Sequence, residues 1–211
     1  MTLKSDEYKT LKDKSEGSFK DRGSKFFAFA YPVSSEEDIK EILQDLRKEY
    51  HDARHHCYAY RLGPDKLRYR ANDDGEPSSS AGKPILGQLL SYDLTDLLIV
   101  VIRYFGGTLL GVPGLINAYR TSAKNAIENG IIIVKTVNDI VEIRFDYLAM
   151  NNIMRIIKDE NPKMIYQSYD MNCVIHLEVR QSLTERLLKK ISKVEDAEAN
   201  TMNINDIYDC E

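Results

Sequence analysis

The loop 73–84, with the sequence DDGEPSSSAGKP, has residue types that hold a phosphate group or a carboxylate. Its Gly82-Lys83 pair precedes a predicted short helix, and the free amides at a helix N-terminus attract anions. The nucleotide-binding pattern GxxxxGK[ST] is not met, because Pro77 stands at the first glycine and Pro84 stands at the hydroxyl residue. We therefore predict a structured anion-binding loop and not nucleotide hydrolysis.

Three carboxylates in this loop, those of Asp73, Asp74 and Glu76, are of the kind that binds Mg²⁺ or Ca²⁺. Residues 72–75, NDDG, are also an ordinary turn sequence, which is the interpretation we favour. An alternative function stays open at this point: an enzyme or sensor in which these carboxylates and Lys83 hold a small anion such as a nucleotide. Because no nucleophile, base and orienting group occur at a recognisable spacing, we assign no catalytic residue, no cofactor and no metal.

A second cluster, His51 with Arg54-His55-His56-Cys57, contains the residue types of a zinc site or of a Cys/His catalytic pair. In a strand, His55 and Cys57 share one face while His56 faces away, and no second cluster of ligands follows downstream. Cys57 is therefore predicted to be a small buried residue.

A third stretch, Leu97 to Leu115, reads as an apolar strand, then Arg103-Tyr104-Phe105, then a glycine-rich loop that leads into a helix. Residues 97–127 contain no acidic residue and carry a net charge of +3 from Arg103, Arg120 and Lys124. Core packing explains the strand. It does not explain an arginine directly before two aromatic residues and Gly106-Gly107, a combination that suits phosphate contacts and base stacking.

The charge of the whole chain, −4 over 211 residues, argues against a protein that coats nucleic acid. The net charge is +1 for residues 1–135 (20 basic, 19 acidic) and −5 for residues 136–211 (9 basic, 14 acidic). Three separated cysteines without a CxxC pair predict a reducing compartment. No apolar run approaches the roughly 20 residues that a bilayer requires, so we expect a soluble cytoplasmic protein with no membrane partner.

Apolar periodicity predicts the elements of a first domain at 18–136, which follows a mobile arm at 1–17. The expected order is a strand at 25–33, a helix at 36–50 capped by Ser35, strands at 56–62 and 67–70, a short helix from Lys83, the apolar strand from Leu97, a helix at 114–129 and a strand at 131–134.

A second domain at 137–211 follows the pattern β-α-β-β-α-β, which is the ferredoxin-like or split βαβ arrangement. Its expected elements are a strand at 141–145, a helix at 150–157, strands at 164–169 and 173–179, a helix with a capping box of Ser182 and Glu185, and an edge strand at 200–204. The fold class is therefore α+β.

Three blocks of this sequence resemble the signature of the IMPACT (imprinted and ancient) family. The blocks are His56-Cys57-Tyr58-Ala59-Tyr60, residues 73–78 with Ala81-Gly82-Lys83-Pro84, and residues 103–107 with Leu110-Gly111. They occur in order across about residues 18–130, and the C-terminal part is similar in position and length to the second domain of bacterial members. The resemblance therefore covers nearly the whole chain.

The resemblance implies a first domain with the fold of the second domain of a small-subunit ribosomal protein, of the left-handed βαβ type, also found in elongation factor G. It implies a ferredoxin-like second domain similar to one from the same factor, and activity linked to translation. Eukaryotic members restrain an amino-acid-starvation kinase with an additional N-terminal domain that has no counterpart here, so that partner is not transferred.

The chain departs from the family pattern at three positions. Pro113 replaces a glycine, Asn117 replaces an arginine, and Ser79 stands where a glycine is common.

We predict a non-catalytic cytosolic binding protein that acts in translation regulation and contacts RNA or the ribosome through a groove between residues 73–83 and 103–107. The small-anion enzyme or sensor is one alternative. A protein-interaction adaptor, with the acidic second domain as its partner surface, is another. The predicted nucleic-acid or ligand-binding residues are Arg54, His56, Arg70, Asp73, Asp74, Glu76, Ser78, Lys83, Arg103, Tyr104, Gly106, Gly107 and Arg120.

Overall fold

The computed structural model describes residues 6–170 and 172–202 and divides into two compact units. The N-terminal unit is Tyr8–Lys135, and the C-terminal unit combines Asp6 and Glu7 with the described residues from Thr136 onward. The strands are β1 (Glu7–Leu11), β2 (Ser15–Asp21), β3 (Ser24–Pro32), β4 (His55–Leu62), β5 (Arg68–Asn72), β6 (Leu97–Tyr104), β7 (Ile132–Thr136), β8 (Asn138–Phe145), β9 (Lys163–Tyr169), β10 (Cys173–Arg180) and β11 (Ala197–Met202). The helices are α1 (Glu36–Glu49), α2 (Gly82–Ser91), α3 (Gly111–Glu128), α4 (Met150–Glu160) and α5 (Gln181–Ile191), with a single 3₁₀ turn at Tyr147–Ala149.

The core of the N-terminal unit surrounds β6, the central strand of an antiparallel sheet with the order β2-β3-β6-β4-β5. Alternate residues of β6 point to opposite faces. Ile99 and Val101 pack in the cluster that contains α2 and α3, whereas Val100 and Ile102 pack in the cluster that contains α1. Both faces of β6 are therefore covered, which explains why its sequence is an unbroken apolar run.

The first turn of α1 confirms the predicted cap at Ser35. The Ser35 hydroxyl accepts a hydrogen bond from the Asp38 amide at 3.1 Å. The Asp38 carboxylate accepts one from the Ser35 amide at 3.0 Å, which completes a capping box. Hydrogen bonds from Ser34 and Ser35 lower the pKa of Asp38 to about 2.

Residues 7–11 and 15–17 lie in strands and not in the predicted arm, of which residues 1–5 lie outside the described residues. β1 pairs with β7, and β2 is an edge strand beside β3. Leu11 is fully buried in the core, and the Ser15 hydroxyl donates to the carbonyl of Ala126 at 2.7 Å. Polar composition predicted an arm here, but backbone pairing and one buried leucine anchor the segment.

The C-terminal unit has the predicted order β-α-β-β-α-β, with the sheet order β11-β8-β10-β9. The apolar sides of β8 and β10 form a single core with α4 and α5. The predicted strand at 200–204 is part of β11, and its residues 203 and 204 lie outside the described residues. No helix in the described parts of either unit is long and apolar enough to cross a membrane.

The start of α5 differs from the predicted capping box of Ser182 and Glu185. The helix already begins at Gln181, and a distant carboxylate takes the place of the cap. Asp6 accepts the Ser182 amide at 3.1 Å and binds the Arg180 guanidinium through two hydrogen bonds of 2.7 and 2.8 Å. The hydrogen bonds from Arg180 and Ser182 hold the pKa of Asp6 well below its ordinary value.

Candidate functional site

Four loops meet at one end of the five-stranded sheet. Lys25 of β3 lies opposite Tyr104 of β6, and His55 of β4 lies opposite Arg103, so β3 and β4 begin where β6 ends. Antiparallel pairing thus brings the segments before β3 and β4 to the segments after β5 and β6. We call this end the loop end; its loops are residues 22–23, 50–54, 73–81 and 105–110.

A buried hydrogen-bond network lies beneath the loop end. Glu76 Oε1 accepts hydrogen bonds from Arg103 Nη1 at 2.6 Å and from the Tyr119 hydroxyl at 2.8 Å. The side chains of Arg103 and Glu76 are only 7% and 3% exposed, so this ion pair is shielded from water. Arg103 therefore supports the loop end from below and does not lie on its surface.

The network continues to Cys57, whose thiol lies 3.3 Å from the Tyr119 hydroxyl and 3.0 Å from the carbonyl oxygen of Asp73. Burial raises the pKa of the Cys57 thiol and that of the Tyr119 hydroxyl, so both groups stay protonated at neutral pH. Cys57 is fully buried, which confirms the sequence prediction. A protonated, enclosed thiol is not an activated nucleophile.

The Asp73 carboxylate binds the backbone amides at the N-terminus of α2. Its carboxylate accepts hydrogen bonds from the amides of Ser79 at 2.8 Å, Ala81 at 3.0 Å and Gly82 at 2.8 Å. Burial alone would raise the pKa of Asp73, but these three amides outweigh it and the pKa lies below the ordinary value. The position where a phosphate would meet the helix is therefore filled by a carboxylate of the chain itself.

The turn that precedes this loop is held by Asp74. The carboxylate of Asp74 accepts the His56 amide at 2.7 Å, and its carbonyl oxygen lies 2.8 Å from His55 Nδ1. Asp74 and Gly75 have positive φ angles of 40° and 85°, as does Ser79 with 64°, a conformation that glycine adopts without strain. Within the described ranges, no three His, Cys, Asp or Glu side chains converge on a point where a metal ion could be held.

Hydrogen bonds connect the end of β6 and the loop after it to the start of β3 and to the loop before β4. The Gly106 amide donates to the Ser24 hydroxyl at 3.1 Å, and the Tyr104 hydroxyl donates to the Asp52 carboxylate at 2.7 Å. The Asp52 hydrogen bond raises the pKa of Tyr104 to about 12. A Cβ atom added at Gly106 would lie 1.9 Å from the carbonyl carbon of Gly23, so glycine is needed for this close approach, whereas Gly107 has a φ of 87° and faces open space.

The predicted site residues fall into four groups. Arg54, Ser78, Lys83, Tyr104, Gly106 and Gly107 lie at the loop end, with Asp73 and Asp74 inside its turns. His56, Glu76 and Arg103 are buried below it. Arg70 lies on the edge strand β5 opposite Tyr60, and Arg120 is exposed on α3, in which Pro113 occupies the first turn.

Two cationic residues at the loop end were not predicted. Arg22 and Lys25, both exposed, flank the turn from β2 to β3, whose Gly23 packs against Gly106. They lie about 80 residues before Arg103 in the chain, and only the pairing of β3 with β6 brings them there. Gly23 was the available signal, because a glycine directly before the predicted strand at 25–33 favours a turn there.

His56 gives the fold a pH dependence that can be measured. Its side chain is buried on the α1 face of the sheet. Burial lowers the pKa of His56, and the opposing influence of Asp74 does not restore it to 6.5.

We expect the free energy of unfolding to fall as the pH drops through 6.5, because the unfolded chain then binds a proton that the folded His56 does not. The stability associated with a neutral His56 is fully present above pH 6.5. It is lost as the pH falls toward the lower pKa that His56 has in the folded protein. Urea unfolding between about pH 8 and pH 5 should show wild type losing stability relative to a His56→Phe variant. A constant difference between the two proteins across this range would contradict the assignment, since the two chains differ only at position 56.

Comparisons with known proteins agree with this architecture. Residues 22–127 match the family model described as the Impact N-terminal domain. The chain is 32% identical over 177 residues to IMPACT family member YvyE of Bacillus subtilis (strain 168), which covers 83% of this chain and 82% of that protein. It is 32% identical over 148 residues to IMPACT family member YigZ of Escherichia coli (strain K12), with coverage of 69% and 72%. A solved structure described as a hypothetical protein has a TM-score of 0.70 at 24% identity, covers 94% of this chain and 98% of its own, and shows a shared fold.

Proposed function

The chain belongs to the IMPACT family, and from this premise we propose that it is a non-catalytic, cytoplasmic binding protein of translation regulation whose loop end contacts RNA or the ribosome. The link with translation is what the family resemblance implies. The contact with RNA is supported by the distribution of charge at the loop end.

The observation that carries the proposal is the separation of charges at this end. The carboxylates of Asp73, Asp74 and Glu76 bind groups of the chain itself, as described above. Four exposed cations of this end have no carboxylate within 4 Å in the described parts of the chain, although Lys83 is close enough to Asp73 to contribute to its lowered pKa; they are Arg22, Lys25, Arg54 and Lys83. Unpaired cations on a rim suit phosphate groups, which position a protein on RNA without reading its sequence.

One of the loops at this end also carries an exposed aromatic ring. Phe105 is 55% exposed, and the guanidinium carbon of Arg103 lies 5.7 Å from the centre of its ring. Exposed aromatic rings beside cations stack on unpaired bases, which are the parts of RNA that proteins read most often. The loop that carries Phe105 is anchored through Gly106 and Tyr104, so little order has to be gained on binding.

A small anion is a weaker candidate for the ligand of this end. The helix N-terminus that would hold it binds the Asp73 carboxylate, and Glu76 is engaged by Arg103. A second anion at α2 would have to displace Asp73 from three amides. This favours a ligand with its phosphates spread along a rim over a nucleotide seated in a pocket.

We expect a double variant, Arg54→Ala with Lys83→Ala, to bind an RNA hairpin more weakly than wild type. The slope of log K against log salt should become shallower by about 1.4–1.8, since each lost phosphate contact removes about 0.7–0.9 from it. Fluorescence anisotropy of a labelled hairpin over a salt series measures both the affinity and the slope.

The matched control removes one arginine and one lysine elsewhere, Arg155→Ala with Lys158→Ala, which are exposed on α4 and also lack an ion pair among the described residues. It should leave the slope unchanged. An equal loss in the control would assign binding to total charge, and absence of salt-dependent binding by wild type would refute the proposal.

A further inference from the structure

The outer edge of the five-stranded sheet at β5 has an unusual surface. Among the residues that the structure describes, β5 is the terminal strand and pairs only with β4. Residues 67–70, directly before the strand and in its first half, are all exposed, with Leu67 at 75% and Tyr69 at 62%. An edge strand leaves every second N–H and C=O group without a strand partner, and these groups form a template for another strand.

The side chains of this edge alternate in chemistry. Arg68 and Arg70 lie opposite Leu62 and Tyr60, so they point to the α1 face, and Tyr69, which lies opposite Arg61, points to the other face. Leu67 directly precedes the strand. No acidic residue occurs between Asp65 and Asp73, and neither arginine has an ion pair among the described residues. The nearby Lys66 and Arg61 both bind Asp93, so that carboxylate is already neutralised.

We propose that β5 binds an extended acidic segment of a partner protein, which adds to the sheet as a sixth strand. The partner's carboxylates would face Arg68 and Arg70, and its apolar side chains would cover Leu67 and Tyr69. This goes beyond the RNA contact proposed for the loop end and uses residues that the loop end does not contain.

Three observations favour an acidic peptide strand over other ligands of β5. A second copy of β5 is disfavoured, because antiparallel self-pairing would set arginine beside arginine. Charged side chains on an edge strand usually serve to prevent unwanted pairing with other chains, and the arginines alone would fit that role. Leu67 and Tyr69 add exposed apolar area, which that role does not require. The row of free backbone groups matches another polypeptide strand and has no counterpart in RNA, which favours a peptide over nucleic acid.

The probe is a synthetic peptide of about seven residues that alternates glutamate and valine, a length within the usual range of strands. Anisotropy should show salt-dependent binding to the full chain, and hydrogen exchange should show slower exchange at the amides of β5. A peptide with lysine in place of glutamate should bind at least about tenfold more weakly, because like charges then face each other. N-methylation of alternate peptide amides should abolish binding, since it removes the ladder hydrogen bonds.

The protein variant is R68E with R70E, which should lose the glutamate peptide and gain the lysine peptide. This exchange of preference would show that the variant is still folded, because an unfolded protein would bind neither peptide. The control, K20E, changes an exposed lysine on β2, the other edge strand, and should bind as wild type does. Failure of wild type to bind the glutamate peptide, binding that survives N-methylation, or protection of β5 by the RNA hairpin and not by the peptide would each overturn the proposal.

Discussion

Replacing Arg103 with methionine should lower the free energy of unfolding by about 3–5 kcal/mol, the cost of leaving one partner of a buried ion pair without the other. Glu76 is 3% exposed and would keep only the Tyr119 hydroxyl as a hydrogen-bond donor to Oε1. The guanidinium also packs 5.6 Å from the ring centre of Phe26, a contact that methionine only partly replaces. Urea unfolding followed by circular dichroism measures the change.

A double-mutant cycle with Glu76→Leu tests the physical cause. Each single variant leaves a buried charge uncompensated, whereas the double variant Glu76→Leu with Arg103→Met removes both charges together. The double variant should therefore be more stable than either single variant. If the two effects simply add, the pair is not coupled and the network beneath the loop end does not act as described.

The burial of Arg103 also determines what its replacement should do to RNA binding. Arg103→Ala should weaken RNA binding, but through loosening of the loops above Glu76 and not through a lost phosphate contact. The salt slope of this variant should therefore stay close to that of wild type, in contrast to the slope of the Arg54→Ala and Lys83→Ala variant.

Replacing Gly106 with alanine should destabilise the N-terminal unit by about 3 kcal/mol or more, because the new methyl group would overlap backbone and not a movable side chain. Its nearest neighbours would be the carbonyl carbon of Gly23 at 1.9 Å and the Ser24 nitrogen at 2.1 Å. Relief requires the β2 to β3 turn to separate from the loop after β6, which also breaks the hydrogen bond to Ser24. Thermal unfolding and RNA affinity should fall together.

Gly87 supplies the control for this substitution. It lies in α2 with no atom within 4 Å of an added Cβ. Gly87→Ala should stabilise the protein by about 0.5–1 kcal/mol, since alanine is the better helix former. A loss of stability at Gly106 no larger than the change at Gly87 would show that the two loops are not packed together.

Local patterns predicted most of the elements because their signals lie close together in the sequence. The stripe of Ile39, Leu43 and Leu46 and the cap at Ser35 both occur within one helix. The same reasoning missed β1 and β2, which are stabilised by strand pairing and by a contact of Ser15 with Ala126 across 111 residues. It also misplaced the cap of α5, because the true acceptor, Asp6, is far away in the chain.

The sequence indicated which residues form the site but not which of them are buried. Residue types and spacing singled out Glu76 and Arg103, yet a charged residue at a strand end reads the same whether it meets solvent or a buried partner. Only the meeting of β6 with the loop after β5 places the two side chains 2.6 Å apart. Arg22 and Lys25 were missed for the same reason, since strand order decides which distant turns share one end of a sheet.

The bond between Asp6 and Arg180 couples the order of synthesis to the order of folding. The two residues are separated by 174 positions, so a ribosome that adds 5–20 residues per second makes Arg180 roughly 9–35 s after Asp6. All of Tyr8–Lys135 has been made before then, so the N-terminal unit can fold on the nascent chain. The C-terminal unit instead waits until Arg180 and Ser182 have been made, because only then can Asp6 complete the start of α5.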